Sequence, residues 1–490
     1  MLFNSYGFLF AFFPLILVGY YICQKKGARF KGGVYQGSLG NAFLFIASLI
    51  FYGWQNPEYL PVLVASMAAG YGFCRQMERA GNKKTVLVMG LTFHLAVLAC
   101  FKYSGTGEFV PLGVSFFTFT QIAFLMECYR GNIKHTGALS YGLYVSFFPK
   151  MIQGPIALPD EMLSQFEKVK KQVDWERVYR SLYLFVLGLF KKVLIADTLG
   201  KAADFGYANL AALNSGDGII VMLSYTLQLY FDFSGYCDMA MGIAGILGIE
   251  LPLNFDSPYK ASNIMEFWKG WHITLTRFFT KYLYIPLGGS RKGKGRTYLN
   301  CLIVFFLSGI WHGAGWQFIV WGMMHGVLYV VTRACKDAGI GDRIRRRAKT
   351  EAVRTGKIRH TICVLLTFLY VNVAWIFFRA PSVKEALSLI KTIFSFHFGR
   401  INWDLADCFN LDEFWYVIKV LRLDGWQYAN YILMVLILAA VLLLVFFGEN
   451  AASFVKKVRP GVIHVMFMVI LFVWSVVSLS GVSSFLYVNF

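Results

Sequence analysis

Residues 305–326 read FFLSGIWHGAGWQFIVWGMMHG, and this stretch sets the class of fold. It belongs to an apolar run long enough to lie in a bilayer, where about 20 such residues make a spanning helix. His312 is therefore an expensive residue. An imidazole at that depth needs a partner or water, so it marks a functional site by default. Imidazole is also the side chain best suited to proton transfer near neutral pH. A second histidine, His272, lies 40 residues earlier in MEFWKGWHITLTRFFTKYLYIPLGG, residues 265–289. Each directly follows a tryptophan, Trp271 or Trp311.

The composition around these two residues points the same way. Of 490 residues, 57% are apolar, 18% aromatic and only 15% charged. A soluble chain carries about 25% charge, so an all-α polytopic membrane protein is expected rather than a string of soluble domains. The net charge of +20, from 47 basic and 27 acidic residues, would suggest nucleic acid in a soluble protein. Here the bases gather in short loops between apolar runs, which is the positive-inside pattern, and no nucleic-acid partner is expected. The nine cysteines show no CxxC pair and no Cys/His metal spacing. Most lie in apolar runs, where a thiol acts as a small hydrophobe. Neither a metal nor a permanently bound cofactor is expected.

The loops orient the chain. A first span over about residues 8–23 is followed by Lys25, Lys26, Arg29 and Lys31, which places the N-terminus outside. No basic n-region precedes that span and no small-residue cleavage site follows it, so it is not a cleavable signal. Further spans are expected over about 41–54, 60–73 and 86–101, with Arg75, Arg79, Lys83 and Lys84 on the inner side. Segments 110–131 and 139–156, the second broken by Pro149 and Pro155, read as partly re-entrant and cavity-lining. Irregular backbone at membrane depth needs protein or water around it. Residues 164–180 read as a cytoplasmic amphipathic segment leading into a span over about 181–196. Lys191 and Lys192 interrupt that span and are expected to snorkel or to face a polar cavity.

Beyond a long span within residues 218–245, the ten bases and three acids between Arg333 and Arg359 mark a cytoplasmic loop. Asp404, Asp407, Asp412, Glu413 and Asp424 suit an outer loop, and Lys456, Lys457 and Arg459 an inner one. A last span over about 462–479 leaves the C-terminus outside. Eleven or twelve crossings are expected, in one domain whose catalytic core is 228–326 and whose C-terminal extension is 403–490.

Several polar residues in apolar surroundings have more than one reading. Asp232 and Asp238 are six residues apart, about 240° on a helix, so they do not share a face. They are polar glue between helices packed closely at Gly235, Gly242, Gly245 and Gly248, the lining of a substrate path, or direct participants in the chemistry. Residues 254–296 are too polar for a simple span and too aromatic for a free loop. Lys260, Lys269, Arg277 and Lys281 lie among aromatic residues there, as in an interfacial or re-entrant helix on the cytoplasmic side. A basic, aromatic mouth suits a phosphate-bearing donor such as coenzyme A. Positive-inside anchoring with belt aromatics explains the same residues.

His312 is either a catalytic group or packed core. Gly313, Ala314 and Gly315 beside it allow a backbone or a slim ligand to approach. His325 lies 13 residues on, about 220° around a continuous helix, and is expected to face elsewhere. His94 sits in an apolar run without polar company and reads as structural. His135, His360, His397 and His464 lie in or near loops or span ends.

Together, LQLYFDFSGYCDMAMGIAGILGIELPLNFDSPYKASNIMEFWKGWHITLTRFFTKYLYIPLGG (227–289) and SGIWHGAGWQFIVWGMMHG (308–326) closely resemble the membrane-bound O-acyltransferase family. The resemblance is to its bacterial branch acting on alginate, cellulose and peptidoglycan. MLFNSYGFLFAFFPL (1–15), PLGVSFFTFTQI (111–122) and FFPKMIQGPI (147–156) resemble that branch too. The resemblance implies a bowl of tilted helices around a tunnel, with the family histidine at His312 and its companion at His272. It implies transfer of an acyl group, most simply acetyl from acetyl-CoA or another thioester, to an acceptor on the far side of the membrane. Trp268, Lys269, Trp271, Arg277, Trp311, Asp232, Asp238 and His325 then become expected tunnel or donor-site lining.

The expected chemistry is simple. A thioester is already activated, so the acceptor hydroxyl mainly needs a base, and burial holds an imidazole neutral for that task. His312 would take the proton, a contribution of about 10²–10⁴-fold. His272 would orient the thioester, hydrogen-bond the acyl carbonyl or assist the proton transfer. The chain's last residues, FLYVNF, resemble the aromatic tails of polysaccharide-acetylating members, which implies Tyr487 as an acyl carrier. Val488 and Asn489 depart from the bulkier aromatic and glutamine of relatives.

A separate secreted or membrane-anchored serine-esterase-like acetyltransferase would then pass the group to the polysaccharide. The implied location is the bacterial cytoplasmic membrane, with both termini outside. The competing readings are D-alanyl transfer to teichoic acid, whose branch lacks the C-terminal extension, and a transporter or secretion scaffold without chemistry. A transporter would show paired broken helices in an internal repeat, and no repeat is found.

Overall fold

In the computed structural model of the chain, every regular element among the described residues is a helix. Those residues are 1–27, 38–103, 110–134, 136–167, 173–339, 353–411, 419–420, 422, 426, 428–481 and 485–486. Outside them lie Tyr487, Val488 and Asn489, Arg29 and Lys31, His135, Asp412, Glu413 and Asp424, and residues 340–352 of the basic loop. Helices alone satisfy their own backbone groups in lipid, which is why so apolar a chain adopts them. Among the described residues, five helices are long and apolar enough to cross a membrane: Phe8–Lys26, Lys83–Tyr103, Trp316–Asp337, Lys357–Arg379 and Ala429–Phe447. Three shorter apolar helices are Leu39–Gly53, Val114–Tyr129 and Val462–Val477. The protein is thus a multi-pass, all-α membrane protein.

Contacts group the described residues into two compact units. The first draws on Met1–Lys192, Phe233–Leu253 and Ala451–Asn489, the second on Val193–Asp232 and Asn254–Asn450. The stretch 228–326 and the extension 403–490 therefore each supply both units.

The first unit begins with α1 (Phe13–Gly27), α2 (Ser38–Gly53), α3 (Leu60–Arg79), α4 (Lys83–Tyr103) and α5 (Val114–Tyr129). Helix α5 is one continuous helix of 16 residues. Pro111 precedes its start, where a missing N–H breaks nothing. The segment after it is broken as expected, into α6 (Ala138–Ser146) and α7 (Phe148–Met151). Residues 164–180 do not form one helix. They are shared between α8 (Pro159–Phe166) and α9 (Trp175–Phe190), the latter begun by Asp174, whose carboxylate accepts from the Arg177 N–H at 3.0 Å.

In this unit one pairing goes beyond the sequence reading and one expectation fails. Cys74 on α3 and Cys128 on α5 form a disulfide, with Cα atoms 6.2 Å apart. They are 54 residues apart, so no spacing motif betrays them. His94 does have polar company: its Nδ1 lies 3.4 Å from Ser66 Oγ, which accepts from Gln121 Nε2 at 2.9 Å. Tyr141 in turn donates to Gln121 Oε1 at 3.0 Å. These groups come from four helices, which a one-dimensional reading of α4 does not reveal.

The second unit contains α10 (Asp197–Ala208) and the Ser215–Asp232 part of α11 (Ser215–Ile246). Its candidate site is carried by two short helices, α12 (Ile264–Gly270) and α13 (Ile273–Phe279), and by three long ones. These are α14 (Lys294–His312), α15 (Trp316–Asp337) and α16 (Val353–Arg379). The region 254–289 is accordingly a run of short helical pieces rather than a span.

Candidate active site

His312 is the last residue of α14 and is 4% exposed. Helices α14 and α15 form a tight hairpin because glycines face backbone at the crossing. A Cβ on Gly309 would lie 2.6 Å from the Phe318 carbonyl oxygen, and one on Gly322 2.5 Å from that of Phe305. The helix ends at residues 313–315, and what approaches Gly313 is the Phe318 ring.

The hairpin delivers Trp321 to His312. Their ring centroids are 4.9 Å apart, with Trp311 at 4.5 Å and Phe378 of α16 at 5.0 Å from the imidazole. Such a site excludes water.

His325 shares Trp321 with His312, at 5.1 Å. It is fully buried, with rings of Trp268 at 5.2 Å and Trp375 at 6.0 Å, and neither ring nitrogen has a hydrogen-bond partner among the described residues. The expectation that it faces elsewhere is wrong. The 220° argument treats residues 312–325 as one helix, whereas the break after His312 starts a second helix with its own phase.

His272 is built differently. It is the N-cap of α13 with φ +43°, a left-handed conformation that is uncommon outside glycine and concentrates at functional sites. Two backbone bonds hold it there: Asp256 N–H to the Gly270 carbonyl and Ile273 N–H to the Asn254 carbonyl, both 2.9 Å. The Asn254 side-chain oxygen lies 3.0 Å from His272 Nδ1. The same oxygen accepts from Thr274 N–H at 3.2 Å and from the Thr274 hydroxyl at 2.9 Å.

A backbone N–H can only donate, so this Asn254 atom is the oxygen and His272 Nδ1 carries the proton. Burial pushes the ring's pKa down to about 3, so it is neutral and Nε2 holds the lone pair. Of the three roles open to His272, donation to an acyl carbonyl from Nε2 is thereby disfavoured. Acceptance of a proton or a hydrogen bond remains. Trp271 ties this loop to the same aromatic cluster, with its ring 4.8 Å from Trp375, which stacks on Trp321 at 5.6 Å.

A cavity of about 210 Å³ opens beside this cluster. Its walls are mostly apolar and aromatic, including Trp268, Phe279, Phe305 and Tyr329. Lys269 and Arg333 bring charge to it, and Ser308 also lines it. Ser308 precedes His312 by one helical turn, about 6 Å along the axis. Arg277 lines a neighbouring groove with Lys269 and Lys281.

Residues 72–380 match the membrane-bound O-acyltransferase (MBOAT) family. The chain belongs to that family. It is 38% identical over 440 residues to the peptidoglycan O-acetyltransferase of Helicobacter pylori, covering 80% of this chain and 79% of that one. It is 32% identical over 464 residues to the probable alginate O-acetylase AlgI of Pseudomonas aeruginosa, covering 90% and 81%. The teichoic acid D-alanyltransferase of Bacillus subtilis is 29% identical over 229 residues, covering 44% and 57%. As an MBOAT member the protein is an acyltransferase enzyme that uses an acyl donor.

Within this MBOAT chain the predicted residues separate. His312, His325, Trp268, Trp271 and Trp311 belong to one aromatic cluster. Lys269 and Arg277 lie along the cavity and groove. Asp232 is buried in the second unit, whereas Asp238 belongs to the first and pairs with Lys191, 2.6 Å from Nζ to Oδ2. Tyr487 lies outside the described residues. Sequence reading missed Trp321, Trp375, Phe378 and Asn254. Trp321 was recoverable, since the glycine turn at 313–315 predicts a hairpin.

Proposed function

We propose that this MBOAT enzyme moves an acetyl group from cytoplasmic acetyl-CoA across the bacterial inner membrane, for O-acetylation of a cell-surface or secreted polysaccharide. The observation that carries this reading is the 38% identity to a peptidoglycan O-acetyltransferase over 80% of the chain. Peptidoglycan is accordingly the first acceptor to test. D-alanyl transfer rests on 29% identity over 44% of the chain and ranks second.

In this reading the donor's phosphates meet Lys269, Arg277 and Arg333, and its thioester arm lies in the aromatic cavity toward Ser308. The His312 imidazole removes the proton from the attacking hydroxyl as its oxygen bonds to the thioester carbonyl carbon. The tetrahedral adduct collapses with cleavage of the C–S bond, and the thiolate leaves with the proton from His312. His272 Nε2 accepts a hydrogen bond that assists this transfer.

The first acceptor hydroxyl is that of Tyr487. A separate serine-esterase-like protein then carries the acetyl group onward to the polymer. Both termini face outward.

Purified enzyme with labelled acetyl-CoA tests the donor and the carrier together. Label should appear on the C-terminal peptide and vanish in Tyr487→Phe. Full surface O-acetylation in cells carrying Tyr487→Phe would overturn the carrier. Labelling by a D-alanyl thioester and none by acetyl-CoA would favour the second reading.

A further inference from the structure

Phe485, in the C-terminal part of the first unit, is fully buried there. Helices α9 and α11 cross at two glycines. A Cβ on Gly188 would lie 2.6 Å from the Gly235 carbonyl oxygen, and one on Gly235 2.8 Å from that of Gly188. Only glycines permit this approach, and it sets the end of α9 against Tyr236 and Asp238. A π turn over Lys191–Ala196 begins there. Such a turn adds a residue to the helical repeat and re-aims the side chains around it, often at functional sites.

Neither lysine snorkels. Lys191 pairs with Asp238 at 2.6 Å, and the two side chains are 14% and 7% exposed. Lys192 is 1% exposed and its Nζ lies 4.6 Å from the centroid of the Phe485 ring. Tyr236 meets the same ring edge-on at 5.0 Å and stacks on Phe3 at 4.9 Å. Phe485 is fully buried.

Burying a cation is costly unless the site compensates it. Asp238 compensates Lys191, and the Phe485 π system faces Lys192. The arrangement makes Phe485 an anchor.

We propose that Lys192 and Tyr236, braced by the Lys191–Asp238 pair, form a receptor that grips Phe485 and positions the C-terminal residues for acyl transfer. Phe485 and Lys192 are positioning residues. The proposal rests on the reading of Tyr487 as carrier, and its test separates the two.

Full-length enzyme in detergent is treated with carboxypeptidase and trimming is followed by intact mass. Surface O-acetylation is measured in cells. Phe485→Leu and Lys192→Met should each speed trimming about fivefold, the scale of one cation–π contact, and lower acetylation similarly. Lys192→Arg keeps a cation over the ring and should restore both. Phe485→Leu leaves every helix intact, so it decides the matter if Lys192→Met fails to fold. Unchanged trimming in Phe485→Leu would overturn the receptor. Faster trimming together with full acetylation in Tyr487→Phe would keep the receptor and reject the carrier. Loss in Tyr487→Phe with wild-type behaviour of Phe485→Leu would do the reverse.

Discussion

Asn254 is the residue whose replacement most sharply probes how His272 works. Its side-chain oxygen accepts from three donors: His272 Nδ1, the Thr274 N–H and the Thr274 hydroxyl. In Asn254→Ala the hydroxyl can turn to another acceptor, but two donors in fixed positions cannot. Each buried, unpaired donor costs about 1–3 kcal/mol, so the variant should lose about 2–6 kcal/mol of local stability. The His272 tautomer is then no longer fixed, and activity should fall at least about tenfold, part of the contribution expected of proton-transfer assistance.

Asn254→Asp provides the control with a signed outcome. It keeps all three acceptances and the tautomer, but sets a negative charge beside the ring. That charge favours imidazolium, so the acid limb of kcat/KM should move up by about 1–3 pH units. The wild-type ring, held down to about 3 by burial, should leave no limb of its own between pH 5 and 8. Acetyl transfer by purified protein, followed across that range, decides the question. Wild-type activity in Asn254→Ala together with an unmoved profile in Asn254→Asp would refute the role given to His272.

Trp321 bridges His312 and His325, so Trp321→Ala should destabilise the unit by about 3–5 kcal/mol, read as lower resistance to heating in detergent. Trp321→Phe should hold the fold and still lower kcat. Lys269→Met and Arg333→Met should each raise the KM for acetyl-CoA about tenfold with kcat nearly kept, because they would bind ground and transition states alike. Stability should also depend on pH through His272. Its unfolded ring takes a proton below about pH 6.5, whereas the folded ring does so only near 3. The unfolded state therefore binds more protons in that window, and stability falls as pH is lowered through it. His272→Gln should flatten this fall, as measured by thermal melts at pH 7 and pH 5.

Much of this was legible because each signal was local. Apolar runs and clustered bases give the membrane class, and WHGAG marks both the histidine and the turn after it. Treating residues 312–325 as one helix sent His325 to the wrong face, although Gly313 and Gly315 announce the break. Asn254 was invisible for a different reason. Its partnership with His272 depends on backbone pairing between 254–256 and 270–273, which has no periodic signature. The Cys74–Cys128 bridge, the Ser66–His94 contact and the Lys192–Phe485 contact each join segments far apart in sequence. Apolar patterning shows that such residues are buried, not what they meet.

His312 is the proposed base for acyl transfer. Single-turnover transfer from labelled acetyl-CoA by His312→Ala and His312→Gln, in protein whose melting and elution match wild type, tests it most directly. Donor binding should stay within about threefold of wild type while the transfer rate falls by about 10²–10⁴-fold. Transfer at the wild-type rate in either variant would contradict it.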